Sequence, residues 1–518
     1  MSTAPVLMVG IDATEQRLVD ALCDAGELPT LAALRARGCW GPLESRPSGF
    51  LSMVWPTFFT GTTVGQHGWY FNKMWRPERM RVEYTLPSWL PQRPFWEELD
   101  ERYRIALLDV PFSAAPPSHL NGIYLNGWQN HDDFGRQYHP RDLWRRLASE
   151  FGSPVMHPEL FGAQTARTLL GLRTEMLACT DQMGDVCAAL LRRERWDLFL
   201  VVLGGAHRGG HYLWDLSQIE TRGVAERDLA TLRGGCADLY RAWDRALGKM
   251  LDAAPPDMRV LAFSLHGMEA NAGWGEHFHQ IVALLHSRGA AAASTSGLVY
   301  RVKRALPWTL VRQVTRRLPS SVNHALVPLW SSRMHDWSRT RYFALPMDLN
   351  GYIRVNLEGR EPHGIISPGA EYDALCEELC AELHELRDIE SGERIVAGVD
   401  VVDKVVGADA PRRVLLPDLV VRWADVSARD SSGVRSTHGE VRWARGAPFP
   451  SGRSGNHTSR AWFAAAGPGI PALGRLDAHH DILDLVPTAF EWMGAPMSPR
   501  FEGVPIAMDR HASASGGA

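Results

Sequence analysis

The sequence predicts an α/β fold in which helices cover both faces of a mostly parallel β-sheet. Short apolar runs alternate with longer amphipathic segments along the chain. Apolar runs of this kind are typical of strands that are buried on both faces. The 518 residues are 45% hydrophobic and 22% charged, a composition typical of a globular protein with a large core. Polar side chains follow several of the runs, at the sheet edge where parallel α/β proteins bind ligands.

The predicted strands and helices follow one another along the chain. The first strand leads into a helix that ends near Arg37, and helices over 167–195 and 226–252 each precede a further strand. Strands that alternate with helices in this way favour parallel pairing. The predicted strands are 6–11, 105–110, 122–125, 197–203, 259–264, 415–423 and 461–466.

The alternation breaks between residues 272 and 411. This stretch contains a basic region with Pro and Trp over 302–338, a strand-like run over 351–356, a helix over 371–386 and a Val-rich segment over 396–406. We interpret 272–411 as an inserted α+β cap that could shape a substrate pocket. The core is then expected over 1–271 and 412–510, followed by a disordered tail over 511–518 that is rich in Ala, Ser and Gly.

Charge and composition exclude several classes of partner. The net charge is −4 and Lys and Arg form no block, so neither a nucleic-acid polymer nor an acidic membrane is expected. No apolar stretch reaches the roughly 18–20 residues that span a membrane. The apolar run near the N-terminus follows no basic leader and predicts a strand instead of a signal peptide. Seven cysteines without a close pairing pattern favour a protein of the reducing cytoplasm. The sequence leaves the oligomeric state undecided, and a homo-oligomer is possible.

Side chains suited to metal binding stand next to predicted strands. Asp12 follows the first strand, His207 and His211 follow 197–203, and His266 follows 259–264; His457 precedes 461–466. Residues four apart share one face of a helix, a spacing suited to zinc, but the two glycines between His207 and His211 leave a loop or first turn as an alternative. Each histidine by itself could be an ordinary core or surface residue. The first four of these residues fall at the C-terminal strand ends, which is a first indication of a functional site at that sheet edge.

A segment with hydroxyl side chains lies after a Ser- and Pro-containing loop. Pro56 suits the first turn of a helix, whose N-terminus would offer backbone N–H groups to an anion. For Thr57 and Thr60, a role as local caps is the preferred interpretation.

Taken in order, these segments resemble the alkaline phosphatase superfamily, and specifically its type I phosphodiesterase and nucleotide pyrophosphatase branch. The resemblance covers most of the chain. Each matching segment is short and unspecific by itself, but the order of the segments along the chain is specific. The pieces are 10–12, 26–38, 55–61 with 67–68, 94–96, 109–111, 359–362, 416–419, 455–457 and 484–488 with Gly494.

The resemblance implies a two-metal site, commonly zinc, and a Ser or Thr nucleophile at a helix N-terminus. Carried over to this chain, one metal would be bound by His207, His211 and His457, and the other by Asp12, His266 and the nucleophile. One ion would stabilise the attacking oxygen and the other the leaving or a non-bridging oxygen. The expected cofactor is therefore one or two divalent ions, with zinc foremost.

Two residues depart from the ligand pattern of the branch. His207 and Leu265 stand where the family usually has aspartate. Imidazole still binds zinc, but leucine cannot, so a second metal is expected to be weakly held, replaced or absent. Both changes make a metal-loaded site more positive, which would favour a more anionic substrate or reflect lost catalysis.

The candidate nucleophile is also shifted by one residue relative to its position in the family. The family position of the hydroxyl is occupied by Leu51, and Ser52 follows it. One helical residue is a rotation of about 100°, so Ser52 serves as the nucleophile only if the loop is re-spaced. Ser52 is our candidate; Ser48, Thr57 and direct attack by metal-bound water are the alternatives.

The predicted activity is metal-dependent hydrolysis of a small anionic ester: a phosphate ester, a phosphodiester or a pyrophosphate, with sulfate and phosphonate esters as variants. Asn126, His131 and Asp132 follow a predicted strand and are candidate substrate-binding residues, with a solvated loop as the alternative. A phosphoryl or sulfuryl transferase uses the same fold. A catalytically degenerate metal-binding protein is the other alternative, favoured by Leu265 and the shifted nucleophile.

Overall fold

A computed structural model describes residues 3–45, 48–129, 135–154, 160, 162–287, 335–347 and 349–508. Its strands are β1 Val6–Ile11, β2 Cys39–Glu44, β3 Lys73–Arg76, β4 Arg81–Tyr84, β5 Ile105–Leu108, β6 Gly122–Asn126, β7 Gln137–His139, β8 Leu198–Leu203, β9 Arg259–Ser264, β10 Gly267–Ala270, β11 Tyr342–Leu345, β12 Gly351–Val355, β13 Arg387–Asp388, β14 Val396–Val401, β15 Leu419–Trp423, β16 Gly433–Ser436, β17 Gly439–Arg442, β18 Gly455–Thr458, β19 Arg460–Ala466, β20 Gly474–Arg475 and β21 His480–Asp481.

The helices alternate with these strands over much of the chain. They are α1 Gln16–Asp24, α2 Pro29–Ala36, α3 Val54–Thr60, α4 Val64–His67, α5 Leu143–Phe151, α6 Ala166–Arg193, α7 Gly205–Leu213, α8 Glu226–Arg233, α9 Gly235–Ala253, α10 Trp274–Ser287, α11 Ala370–His384, α12 Val402–Val406 and α13 Leu485–Met493. In the described part of the chain, no helix is both long and apolar enough to cross a bilayer. The predicted tail over 511–518 lies outside the described residues.

The first of two compact units contains a large sheet. Its described residues fall within Met1–Thr63, Pro91–Asn271 and Pro448–Ala518. The strand order is β20-β2-β19-β9-β1-β8-β5-β6-β7, with β21 beside β2. The central strands β9, β1, β8, β5 and β6 are parallel. The predicted mostly parallel α/β sheet is thus confirmed.

Both faces of this sheet are covered, which explains why its central strands are apolar throughout. Leu7, Val9 and Ile11 of β1 belong to one buried cluster with residues of α1, α2, α6 and α9. On the opposite face, a Cβ added to Gly10 would lie 2.8 Å from the Trp55 indole of α3. Glycine is therefore required where the helix approaches the strand most closely.

Two predicted strands differ from the expected arrangement. The run 461–466 belongs to β19, which is in the sheet but antiparallel to β9 and β2. The run 415–423 contributes β15, which pairs antiparallel with β12 and β14 in a separate sheet. An apolar run reports burial but carries no information about strand direction or partner. The predicted helix over 226–252 is also two helices, α8 and α9, which meet at Gly234.

The second unit comprises Val64–Leu90 and Ala272–Ala447, apart from the residues that are not described. It contains the antiparallel sheet β11-β12-β15-β14 and the smaller sheets β13-β16-β17 and β3-β4. The boundary predicted at 411 falls inside this unit. Asp418, just before β15, accepts a hydrogen bond of 2.6 Å from Val355 N of β12 and two of 2.7 Å from Arg360, which ties the chain beyond 411 to β12 and the segment after it.

Candidate metal centre

The structure brings the five side chains predicted to bind metal together at one edge of the large sheet. Asp12 follows β1, His207 and His211 lie on α7, His266 lies between β9 and β10, and His457 is in β18. The ring centroids of His207 and His211 are 4.9 Å apart, those of His207 and His457 are 4.9 Å apart, and those of His266 and His457 are 4.3 Å apart. Four imidazoles therefore form one cluster, and two of them, His207 and His266, lie next to the Asp12 carboxylate.

The segment that carries His207 and His211 is a regular helix and not the loop that its glycines suggested. Tertiary packing explains both glycines. A Cβ at Gly209 would collide with the Leu239 side chain of α9, and a Cβ at Gly210 would lie 3.0 Å from the Met268 side chain of β10. Close packing outweighs the low helix propensity of glycine, and the two histidines project from neighbouring turns.

A third glycine sets the distance between α7 and β18. A Cβ at Gly455 would overlap the Gly210 carbonyl oxygen of α7.

We expect Gly455→Ala to push α7 and β18 apart, lower the free energy of unfolding by about 1–3 kcal/mol and weaken zinc binding, because His211 and His457 lie on these elements. Chemical denaturation and a zinc titration measure both effects. Gly171→Ala is the control, since a Cβ at this position in α6 would contact nothing within 4 Å; an equal loss in both variants would contradict the prediction.

Asp12 is 3% exposed and both of its carboxylate oxygens have partners. Its Oδ2 lies 2.6 Å from His207 Nδ1, and its Oδ1 accepts a hydrogen bond of 2.9 Å from Trp55 Nε1. His266 Nε2 is 3.4 Å from the same Oδ1. Burial raises the pKa of Asp12, but the charges and hydrogen bonds of His207 and His266 outweigh it and hold the pKa well below its ordinary value. The carboxylate is therefore ionised at neutral pH.

The hydrogen bonds of the histidines determine which ring nitrogens can bind a metal. The ionised Asp12 and the Gly455 carbonyl only accept hydrogen bonds, so His207 donates from Nδ1 to Asp12 and His211 donates from Nδ1 to Gly455 O at 3.0 Å. The Nε2 atoms of His207 and His211 consequently face each other at 3.0 Å. In neutral rings these are two lone pairs, an arrangement that a cation between them stabilises.

His457 completes a three-imidazole set. Its Nδ1 is buried and has no hydrogen-bond partner among the residues that the structure describes. Burial lowers the pKa of His211 and of His457 well below the usual histidine value, which keeps both rings neutral. Among the described residues, the group able to surround an ion is His207, His211 and His457, whose ligand atoms all lie within 4.8 Å of one another. Three imidazoles are a suitable donor set for zinc.

The candidate nucleophile lies in an irregular segment next to this centre. Ser52 is half-buried in the 3₁₀ segment Ser48–Met53, which packs against β18 and is followed directly by α3. The backbone at Phe50 departs from helical geometry, so the register here is not that of a continuous helix. The hydroxyl of Thr57 donates to Met53 O at 3.2 Å. Leu51 is 5% exposed and has no group that could attack a substrate.

The candidate substrate-binding residues are only partly described. The Asn126 amide is buried, where it donates to Ser113 O at 2.8 Å and accepts from Gly127 N at 2.9 Å. These bonds hold the loop after β6 in place. His131 and Asp132 lie outside the described residues. Substrate contact by these three side chains stays a prediction.

Sequence reasoning missed several residues that support the centre. The Ser264 hydroxyl accepts from Thr14 N at 3.1 Å and donates to His266 O at 2.9 Å, and so joins the loops that carry Asp12 and His266. Trp55 was noted only as part of a family-like segment, although its indole binds Asp12. Neither role has a local sequence signal, because each depends on contacts between distant parts of the chain.

Comparisons with known proteins support this reading of the fold. The family described as Type I phosphodiesterase / nucleotide pyrophosphatase matches residues 6–386. Among solved structures, the chain is similar to wild-type alkaline phosphatase PafA, with 12% identity, a TM-score of 0.55 and coverage of 98% of this chain and 99% of that chain. No curated protein sequence gives a match.

Two further solved structures are similar over nearly the whole chain. One is phosphonoacetate hydrolase from Sinorhizobium meliloti 1021 in complex with phosphonoformate, with 14% identity, a TM-score of 0.49 and coverage of 95% and 96%. The other is murine ectonucleotide pyrophosphatase / phosphodiesterase 5 in complex with AMP, with 11% identity, a TM-score of 0.44 and coverage of 96% of both chains. Since the family matches most of the sequence, the chain belongs to the type I phosphodiesterase / nucleotide pyrophosphatase family and is a hydrolase of phosphoric esters.

Proposed function

We propose that this chain hydrolyses a small anionic phosphate ester, phosphodiester or pyrophosphate with the help of a divalent metal, zinc foremost, held by His207, His211 and His457. The observation that carries the proposal is the convergence of three imidazoles, two of which direct Nε2 atoms at each other across 3.0 Å. A proton shared between His207 and His211 would also relieve their repulsion, but it would leave the buried Nδ1 of His457 without a role.

The residues around the centre suit displacement at phosphorus. A bound divalent metal supplies a Lewis acid that polarises a phosphoryl oxygen. Asp12 holds His207 in one tautomer and orientation. Ser52 lies three residues before Trp55, and the Trp55 indole donates a hydrogen bond to Asp12. The Ser52 segment is therefore beside the centre, and the Ser52 hydroxyl is our candidate for attack on the substrate. Asp12 is the one carboxylate in the five-residue set, and a metal-loaded centre therefore favours an anionic substrate.

We expect purified protein to contain at least one equivalent of zinc or another divalent transition metal, because neutral buried imidazoles bind such ions without first losing a proton. Elemental analysis measures the content. Chelation should lower the melting temperature and abolish hydrolysis, and added zinc should restore both. Protein that contains no metal and gains no stability from zinc would exclude the proposed centre.

The substrate class is tested with chromogenic esters. Metal-loaded protein is assayed with a 4-nitrophenyl phosphate monoester, with bis(4-nitrophenyl) phosphate and with the corresponding sulfate ester. Turnover of a phosphoryl ester that exceeds turnover of the sulfate supports the proposal. Metal binding without turnover of any ester would favour a degenerate metal-binding protein.

A further inference from the structure

We infer that the centre binds a single metal ion and that Asp12 is a positioning residue for His207 instead of a ligand for a second ion. The inference rests on the metal site of the proposed function and concerns the number of ions and the role of one carboxylate. It departs from the two-ion arrangement that the sequence resemblance implies for Asp12 and His266.

The contacts of Asp12 match those of a carboxylate that accepts a hydrogen bond from the second ring nitrogen of a metal-binding histidine. The 2.6 Å distance between Asp12 Oδ2 and His207 Nδ1 is that of a charge-assisted hydrogen bond. This bond places the proton on Nδ1 and turns the Nε2 lone pair of His207 toward His211. Metal-binding histidines commonly donate their other ring nitrogen to a carboxylate in this way, which orients the ring and raises its basicity.

The other oxygen of Asp12 is also occupied. Oδ1 accepts the indole N–H of Trp55 at 2.9 Å and lies 3.4 Å from His266 Nε2. Binding a second ion through this oxygen would compete with both contacts inside a buried site. The hydrogen bond that His211 Nδ1 donates to the Gly455 carbonyl has the equivalent effect, so each of the two facing rings is oriented by a bond at its Nδ1.

Among the described residues, the position expected for a second ion offers fewer ligands than the family pattern supplies. Leu265, beside His266, is fully buried and has no donor atom. The neighbouring Ser264 hydroxyl already bridges Thr14 N and His266 O. Within the described residues, His207, His211 and His457 form the group of three ligand atoms close enough for an ion.

Charge leads to the same conclusion. Two divalent ions would bring four positive charges into a set of side chains in which Asp12 alone carries a negative charge. Arg453, which is partly buried, adds a further positive charge that contributes to the lowered pKa of His211 after the larger effect of burial. Repulsion between two ions at this edge would be poorly compensated, whereas one ion and one carboxylate leave a moderate net charge.

The test counts zinc ions in metal-free full-length protein and measures their affinity by competition with a chromophoric chelator. Wild-type protein should bind one ion tightly. Asp12→Asn should still bind one ion, about 10- to 100-fold more weakly, as found when the partners of metal-binding histidines are removed. Asp244→Asn is the matched control. Asp244 is a buried carboxylate of the same unit that accepts from Thr30 N at 3.0 Å and Leu31 N at 2.8 Å.

The outcomes separate this inference from the proposed function. Two ions in wild-type protein and one in Asp12→Asn would make Asp12 a ligand and overturn the inference, while the metal-dependent hydrolase would stand. No ion in wild-type protein would overturn both. Unchanged affinity in Asp12→Asn, or an equal loss in Asp244→Asn, would remove the positioning role. If Asp12→Asn fails to fold, the wild-type stoichiometry still decides the number of ions.

Discussion

Ser52→Ala is expected to lower turnover of a phosphoryl ester by several orders of magnitude, because removing the nucleophile abolishes the covalent route. The metal content and the melting temperature should change little, since Ser52 is half-buried and belongs to neither α7 nor β18, the two elements that carry the proposed metal ligands. Steady-state kinetics on metal-loaded protein measure the loss. With a slow substrate, mass spectrometry should detect a phosphoryl adduct on a peptide that contains Ser52 in wild-type protein only.

Two control variants separate Ser52 from the other candidate hydroxyls. Ser48→Ala and Thr57→Val should retain most of the activity; the Thr57 hydroxyl already donates to Met53 O within its own segment. If Ser52→Ala keeps most of its turnover, attack comes from another hydroxyl or from water. Loss of activity in Thr57→Val alone would assign the nucleophile to Thr57.

His211→Ala should have the second large effect. His211 faces His207 with Nε2 and donates to Gly455 O with Nδ1, so alanine removes a metal donor and leaves a buried carbonyl without its partner. We expect zinc affinity to fall by at least about 100-fold, activity at low zinc to disappear, and the free energy of unfolding of the metal-free protein to fall by about 1–3 kcal/mol. A zinc titration, a hydrolysis assay and chemical denaturation measure these three changes.

The matched control is His119→Ala. His119 lies in the same unit, and its Nε2 contacts the Leu99 backbone carbonyl at 3.2 Å, but it is exposed. Zinc affinity and turnover should be unchanged in this variant. If His211→Ala binds zinc as tightly as His119→Ala, then His211 is not a ligand and the three-imidazole centre is wrong.

The central strands could be predicted from the sequence because a strand that is buried on both faces is an uninterrupted apolar run. The first predicted strand and the strand 259–264 coincide with β1 and β9, and 197–203 differs from β8 by one residue. Each is an uninterrupted apolar run bounded by polar or turn residues. The order of the segments along the chain also identified the family, which the match over residues 6–386 confirms.

Strand direction, partner and register depend on contacts between distant residues and were decided only by the tertiary structure. The apolar runs of β19 and β15 resembled those of the parallel strands, yet β19 is antiparallel and β15 lies in the other unit. The two glycines of α7 suggested a loop, but the segment is a helix in which a Cβ at Gly209 would collide with α9 and a Cβ at Gly210 would closely approach β10.

The sequence by itself determined which side chains could bind a metal, since imidazole and carboxylate are the available donors and each stands beside a predicted strand. The orientation of these side chains depends on bonds between residues far apart in the chain. Asp12 and His207 are separated by 195 positions, and His211 and Gly455 by 244. These two bonds select the tautomers and turn the Nε2 atoms toward each other. A hydrogen bond of this kind exists only after the sheet has brought its strand ends together, so no local pattern of residues can encode it.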